Sequence, residues 1–191
     1  MRKFFEFLNL FILCLSSVVL IALQMKVLGF LLLSLGLFLL FACRRQFAKD
    51  ILLIYISLLI LGITAISTDI SYTHMFAMGT TLFIAVALPY FISRFIYKDN
   101  LVRFKFHHGR AWYKREIAYI FLTAIVCYFL IPFYLSNTQS YLNWRVDPGL
   151  GNIIRLFVGT NVLGIWDELF FISTVLGILR RFLNFYLANV V

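Results

Sequence analysis

Long apolar runs broken by short polar intervals make up most of the chain, and the runs repeat without a strict alternation of apolar and polar positions. Runs of about 18 or more apolar residues are long enough to cross a hydrocarbon core of about 30 Å as helices. Strands of a membrane barrel would instead alternate over segments of about ten residues. Helices also satisfy their own backbone polar groups in lipid. The pattern therefore predicts an all-α fold, a polytopic transmembrane helical bundle in a single membrane domain, 1–191. Six spanning helices are expected at about 4–24, 27–43, 51–67, 74–97, 117–136 and 153–179, and 182–191 reads as the start of a seventh.

Pro89 and Pro132 fall inside the fourth and fifth of these, where each removes a backbone donor and favours a kink. Gly29, Gly36 and Cys43 recur every seven residues on the second, a small-residue seam suited to close helix packing.

Composition strengthens this picture. The 191 residues are 63% hydrophobic and 13% charged, against about 45–50% and about 25% in soluble domains. Arg2 and Lys3 precede an apolar stretch in the manner of a signal peptide. That stretch exceeds an h-region of about 7–15 residues and has no A-x-A-like site after it, so a retained first helix is expected. Cys14, Cys43 and Cys127 lie far apart, without a CxxC or Cys/His cluster. They read as small buried thiols rather than a disulfide framework.

The net charge of +9 changes the picture through its placement. Of the 17 Lys and Arg residues, all but Lys26, Arg145 and Arg155 cluster before helix one, after helix two, around the connection between helices four and five, and after helix six. Positive residues are retained in the cytoplasm. The N-terminus and the 98–116 loop are thus expected on the cytoplasmic side of the cell membrane. The basic loop reads as an orientation signal resting on anionic headgroups of the lipid bilayer, with no nucleic acid as partner. His107 and His108 share that loop without a nearby carboxylate, a poor metal site.

The candidate chemistry sits in "GIWDELFF", Gly164 to Phe171, where Asp167 and Glu168 interrupt an apolar helix near its middle. Each acid near the bilayer centre costs roughly 2.5–3.5 kcal/mol, while Leu, Ile, Phe or Val returns roughly 0.3–0.6 kcal/mol. The expected helix six is near break-even alone and depends on neighbours to hide the carboxylates. On a helical wheel, Thr160, Asn161, Gly164, Asp167, Glu168 and Thr174 share one arc of about 140°. That arc is expected to face the bundle interior or a water-filled cavity, with Thr160 and Asn161 within hydrogen-bonding reach of the acids. Ionisable groups inside membranes are functional candidates by default. The pair suits general acid–base work, metal-water activation, proton or cation transport, or a structural role neutralised by neighbours.

"GIWDELFFISTVLGILRRF" resembles the first motif of the CPBP intramembrane metalloproteases, the CAAX-protease and bacteriocin-processing group also called Abi. Their EExxxR motif aligns its acids with Asp167 and Glu168 and its arginine with Ile172. The resemblance covers about 153–191. It implies hydrolysis of a membrane-associated peptide or protein by a hydrolase that uses zinc-bound water, with Asp167 and Glu168 as the water-activating and cavity-lining carboxylates. It also implies later FxxxH and HxxxN/D motifs that hold the zinc. No histidine follows position 108, so the metal ligands are not present in this chain. The ten residues "FLNFYLANVV" after Arg181 suit a fragment whose histidines lie beyond Val191. The rival expectation is a non-enzymatic membrane protein, an ion- or proton-coupled transporter or a scaffold with a buried acidic pair.

Overall fold

Every regular element among the described residues is helical. The computed structural model describes residues 2–64, 69–99, 101–104, 111–138 and 149–190. Helix α1 (Arg2–Ser17) runs into a π-helical stretch, Val18–Ala22. Helix α2 (Lys26–Leu39) ends in a 3-10 turn, Leu40–Ala42, and is followed by α3 (Arg45–Ile63). Helix α4 (Tyr72–Phe91) continues as a second π-helical stretch, Ile92–Ile96. Then come α5 (Lys114–Thr138), α6 (Leu150–Asp167), a third π-helical stretch Glu168–Leu176, α7 (Gly177–Leu179) and α8 (Phe185–Val190).

Among the described residues, five stretches are long and apolar enough to cross a membrane: Arg2–Ala22, Arg45–Ile63, Tyr72–Ile96, Lys114–Tyr134 and Leu150–Leu179. These are the expected first and third to sixth spans. The expected second, Lys26–Ala42, is a shorter apolar helix. At 1.5 Å per residue it reaches about 25 Å, less than a core of about 30 Å. The residues read as the start of a seventh span carry α8, a helix of 6 residues.

Helix α3 starts at Arg45 rather than near residue 51. Hydropathy alone excluded its polar first turn, but Asp50 is fully buried there and ion-paired to Arg181 at 2.8 Å. Extended backbone at Cys43 (ψ 172°) and Arg44 (ψ 142°) breaks α2 from α3.

The chain forms two compact units, residues 105–154 and the remainder. Within the smaller unit, α5 keeps nearly all its side chains exposed. The larger unit holds the core, in which Leu33, Phe47, Ile51, Leu53, Tyr55 and Phe170 are fully buried.

Two members of the expected seam, Gly29 and Gly36, are close-packed on α2, while Cys43 lies past its 3-10 turn in extended backbone. A Cβ on Gly29 would meet the Leu20 side chain at 2.8 Å, and one on Gly36 would fall on the Tyr55 hydroxyl. Because Gly36 carries no side chain, Asn9 of α1 reaches its carbonyl, donating from Nδ2 at 2.7 Å. The Tyr55 hydroxyl of α3 in turn donates to Asn9 Oδ1 at 3.4 Å. Three helices thus share one buried polar contact. Ser57 ties α3 to α4 by donating to the Ala85 carbonyl at 2.7 Å.

The two ends of the larger unit differ in charge. At one end Arg44 donates from Nη2 to Glu6 at 2.7 Å, Arg181 bridges Asp50 and Asp99, and Lys49 lies over the Tyr97 ring. The hydrogen bond to Asp50, opposed by burial and reinforced by Asp99, raises the Arg181 pKa above the usual guanidinium range. Ser93 completes the cluster, donating to Asp99 at 3.0 Å and accepting from the Leu101 N–H at 2.9 Å. At the other end, Lys26 caps α3 by donating to the Ile63 carbonyl at 3.4 Å, and Arg155 stacks over Tyr72.

Candidate functional site

The rotation of α6 is set by its aromatic side. Trp166 is buried, donates from Nε1 to the Leu82 carbonyl of α4 at 2.9 Å, and stacks on Phe170 at 5.0 Å. Trp166, Phe170, Thr174 and Ile178, spaced every four residues, are the buried face. Burying apolar area gives helices little net attraction in lipid, so close packing and the indole hydrogen bond decide which face turns inward.

That rotation overturns the expected inward polar arc. Asp167, Glu168, Thr160, Asn161 and Gly164 are all exposed, and of the arc only Thr174 is buried. Thr160 spends its hydroxyl on the Leu156 carbonyl at 2.9 Å, and Asn161 spends its amide on Phe157 at 2.7 Å. Neither supports the acids. Among the described residues, neither carboxylate has a hydrogen-bond or ion-pair partner.

The backbone changes character at the pair. The α-helix ends at Asp167, and Glu168 opens a π-helical stretch of 9 residues. Such segments are rare, short and frequent at functional sites. The Thr174 hydroxyl donates to the Leu169 carbonyl five residues back, at 3.0 Å, a side-chain bond that matches the wider turn.

Helices α4 and α6 run in parallel, with Arg155 at Tyr72, Trp166 at Leu82 and Arg181 at Asp99. At 1.5 Å per α-helical residue the acids lie about 18 Å from the Arg155 end, and the π-helical stretch, which rises less per residue, keeps the Arg181 end under about 21 Å away. They sit at mid-height of their helix.

An apolar cavity of about 290 Å³ opens between α1, α3 and the π-helical stretch, lined by Leu13, Ser17, Leu58, Phe171 and Ile172 among others. Phe171 and Ile172 lie four residues beyond Asp167 and Glu168, so the carboxylates stand about one turn from the cavity wall.

The donor set does not fit a zinc centre. Structural and catalytic zinc sites take three or four N, S or O protein ligands, and among the described residues no group of three or more His, Cys, Asp or Glu could hold a metal ion. His74 stands in the first turn of α4, about 12 Å along the axis from Leu82 and hence from the pair. His107 and His108 lie outside the described residues.

No family model, curated protein or solved structure matches this chain. The acidic pair therefore stands on its own geometry: two carboxylates without a partner among the described residues, at mid-helix, at an α-to-π switch beside Trp166.

Trp166→Phe keeps the ring stack and removes the donor to Leu82. Interhelical hydrogen bonds in membranes average about 0.6 kcal/mol and reach about 1.7 kcal/mol. A loss within that range is expected in an SDS unfolding titration of the purified protein.

Proposed function

We propose that this chain is a membrane-embedded, CPBP-like hydrolase that cuts membrane-associated peptides or proteins, with Asp167 and Glu168 as the working carboxylates. The observation that carries the reading is the unpartnered pair at mid-span. Two acids there cost roughly 5–7 kcal/mol against hydrocarbon, a cost relieved where water or a polar substrate meets them. A carboxylate in such a place takes a proton from water as the oxygen attacks the peptide carbonyl. It then returns that proton to the departing amine as the C–N bond breaks. Residues one apart on a helix do not face each other, so one acid handles the proton while the other adds negative charge beside it. The neighbouring apolar cavity suits an apolar stretch of substrate. Zinc, which the resemblance implies, has no fitting donor set among the described residues, and no step here depends on it.

The basic end of the bundle is the cytoplasmic end in this reading, with the N-terminus and residues 98–116 on that side. Lys26–Ala42 crosses as a short sixth span.

The test is cleavage of a membrane-tethered reporter in cells carrying wild type, Asp167→Asn, Glu168→Gln or both. Positioned acid–base groups contribute about 10²–10⁴-fold, so at least one single variant and the double variant are expected to lose cleavage by that order while inserting normally. Undiminished cleavage by the double variant would remove these acids from the reaction. A proton-coupled transporter is the outcome if no reporter is cut and the same variants abolish a pH-driven flux.

A further inference from the structure

A second groove, of about 500 Å³, opens between α2 and α3 at the basic end, distant in role from the acidic pair. Phe38 and Phe41 of α2 and its 3-10 turn form one wall, and Ala48 and Leu52 of α3 form the other. Arg45 and Lys49 stand at its mouth, exposed and four residues apart, so they share one face of α3.

The neighbouring acids are already committed. Glu6 is held by Arg44, and Asp50 and Asp99 are held by Arg181. Arg45 forms no ion pair among the described residues, and Lys49 has only the face of Tyr97, at 5.4 Å. The first backbone hydrogen bond of α3 runs from the Ala48 N–H to the Arg44 carbonyl, so the N–H groups before it point their positive end the same way. The walls below are apolar and descend from Arg45 to Leu52, about 10 Å into a membrane-crossing helix. Positive charge uncompensated at the rim and an apolar slot beneath it match the two halves of one amphiphile. Basic pockets between membrane helices bind anionic headgroups for this reason.

We propose that this groove holds one anionic phospholipid, its phosphate between Arg45 and Lys49 and an acyl chain against Phe38, Phe41, Ala48 and Leu52. The volume falls within the range of about 300–1,000 Å³ usual for ligand sites.

Native mass spectrometry of the full chain, titrated with phosphatidylglycerol and separately with phosphatidylcholine, tests this. Phosphatidylglycerol is expected to remain bound where phosphatidylcholine is lost. Arg45→Gln/Lys49→Gln should weaken it about thirty-fold, the effect of two basic side chains near an anionic group. Arg2→Gln/Lys3→Gln, which removes equal charge from the N-terminus, should leave it bound. Phe38→Ala/Phe41→Ala, at residues 71% and 89% exposed, should weaken it with the charge intact, circular dichroism confirming an unchanged fold. Equal retention of phosphatidylcholine, or an unchanged Arg45→Gln/Lys49→Gln variant, overturns the proposal. So does glycerol phosphate binding as tightly as the lipid, which reduces the groove to an anion site. The proposal also falls if the phenylalanine variant binds as wild type does.

Discussion

Gly36→Val is expected to cost about 2–6 kcal/mol and to abolish most of the assembled protein. A Cβ at this position falls on the Tyr55 hydroxyl, and Tyr55 is fully buried in the core. Overpacking of this kind costs about 1–3 kcal/mol. Displacing Tyr55 also pulls it from Asn9, whose amide holds the Gly36 carbonyl, and an orphaned buried polar group costs about 1–3 kcal/mol more. An SDS unfolding titration followed by circular dichroism measures the loss. Gly36→Ala and Tyr55→Phe should also couple, with the double variant losing less than the sum, because removing the hydroxyl oxygen makes room for the new methyl. Additive losses would mean that the two residues do not meet.

The second large effect is expected at Arg181. Arg181→Met leaves Asp50, with no exposed side-chain surface, supported among the described residues only by the Gln46 amide at 3.2 Å. Removing one partner of a buried pair costs about 3–5 kcal/mol, mainly by leaving the other charge uncompensated. The Arg181 side chain is 37% exposed, so solvent relieves part of this and the lower end, about 3 kcal/mol, is expected. Asp50→Asn/Arg181→Met should recover most of the stability, since a neutral amide beside Gln46 needs no counter-ion. The same titration compares the two. If the single and double variants are equally unstable, Arg181 contributes by packing and not by charge.

These two sites show what the sequence made legible. The seven-residue spacing of Gly29 and Gly36 announced a close helix contact, and the structure supplies its partners, Leu20 and Tyr55. The all-helical class and five of the expected spans followed from apolar length alone. The ion cluster did not. Asp50 follows Arg44, Arg45 and Lys49, and its polar surroundings read as a loop. Only its contact with Arg181, 131 residues away, makes it a buried helical residue.

The acidic pair is visible in the sequence as an anomaly of composition, but its direction is not. The wheel weighed polar side chains and took them inward. The deciding interaction was the Trp166 indole on the Leu82 carbonyl, which the apolar count treats as one more hydrophobic residue. A regular 100° wheel also fails past Asp167, where the helix widens. Within the third π-helical stretch the Thr174 hydroxyl bonds five residues back, to the Leu169 carbonyl, where Thr160 in the α-helical part bonds four back. Such side chains compete with the backbone ladder.

Water access to the pair tests the account most directly. In a variant with Cys14, Cys43 and Cys127 replaced by alanine, Asp167→Cys and Glu168→Cys are exposed to a membrane-impermeant maleimide in intact membranes. Val162→Cys, exposed on the same helix but turned about 140° from Asp167 and about 120° from Glu168, is the control on the apolar face. The account predicts labelling at 167 or 168 well above that at 162. Labelling at both acid positions no greater than at 162 would leave them facing lipid and contradict it.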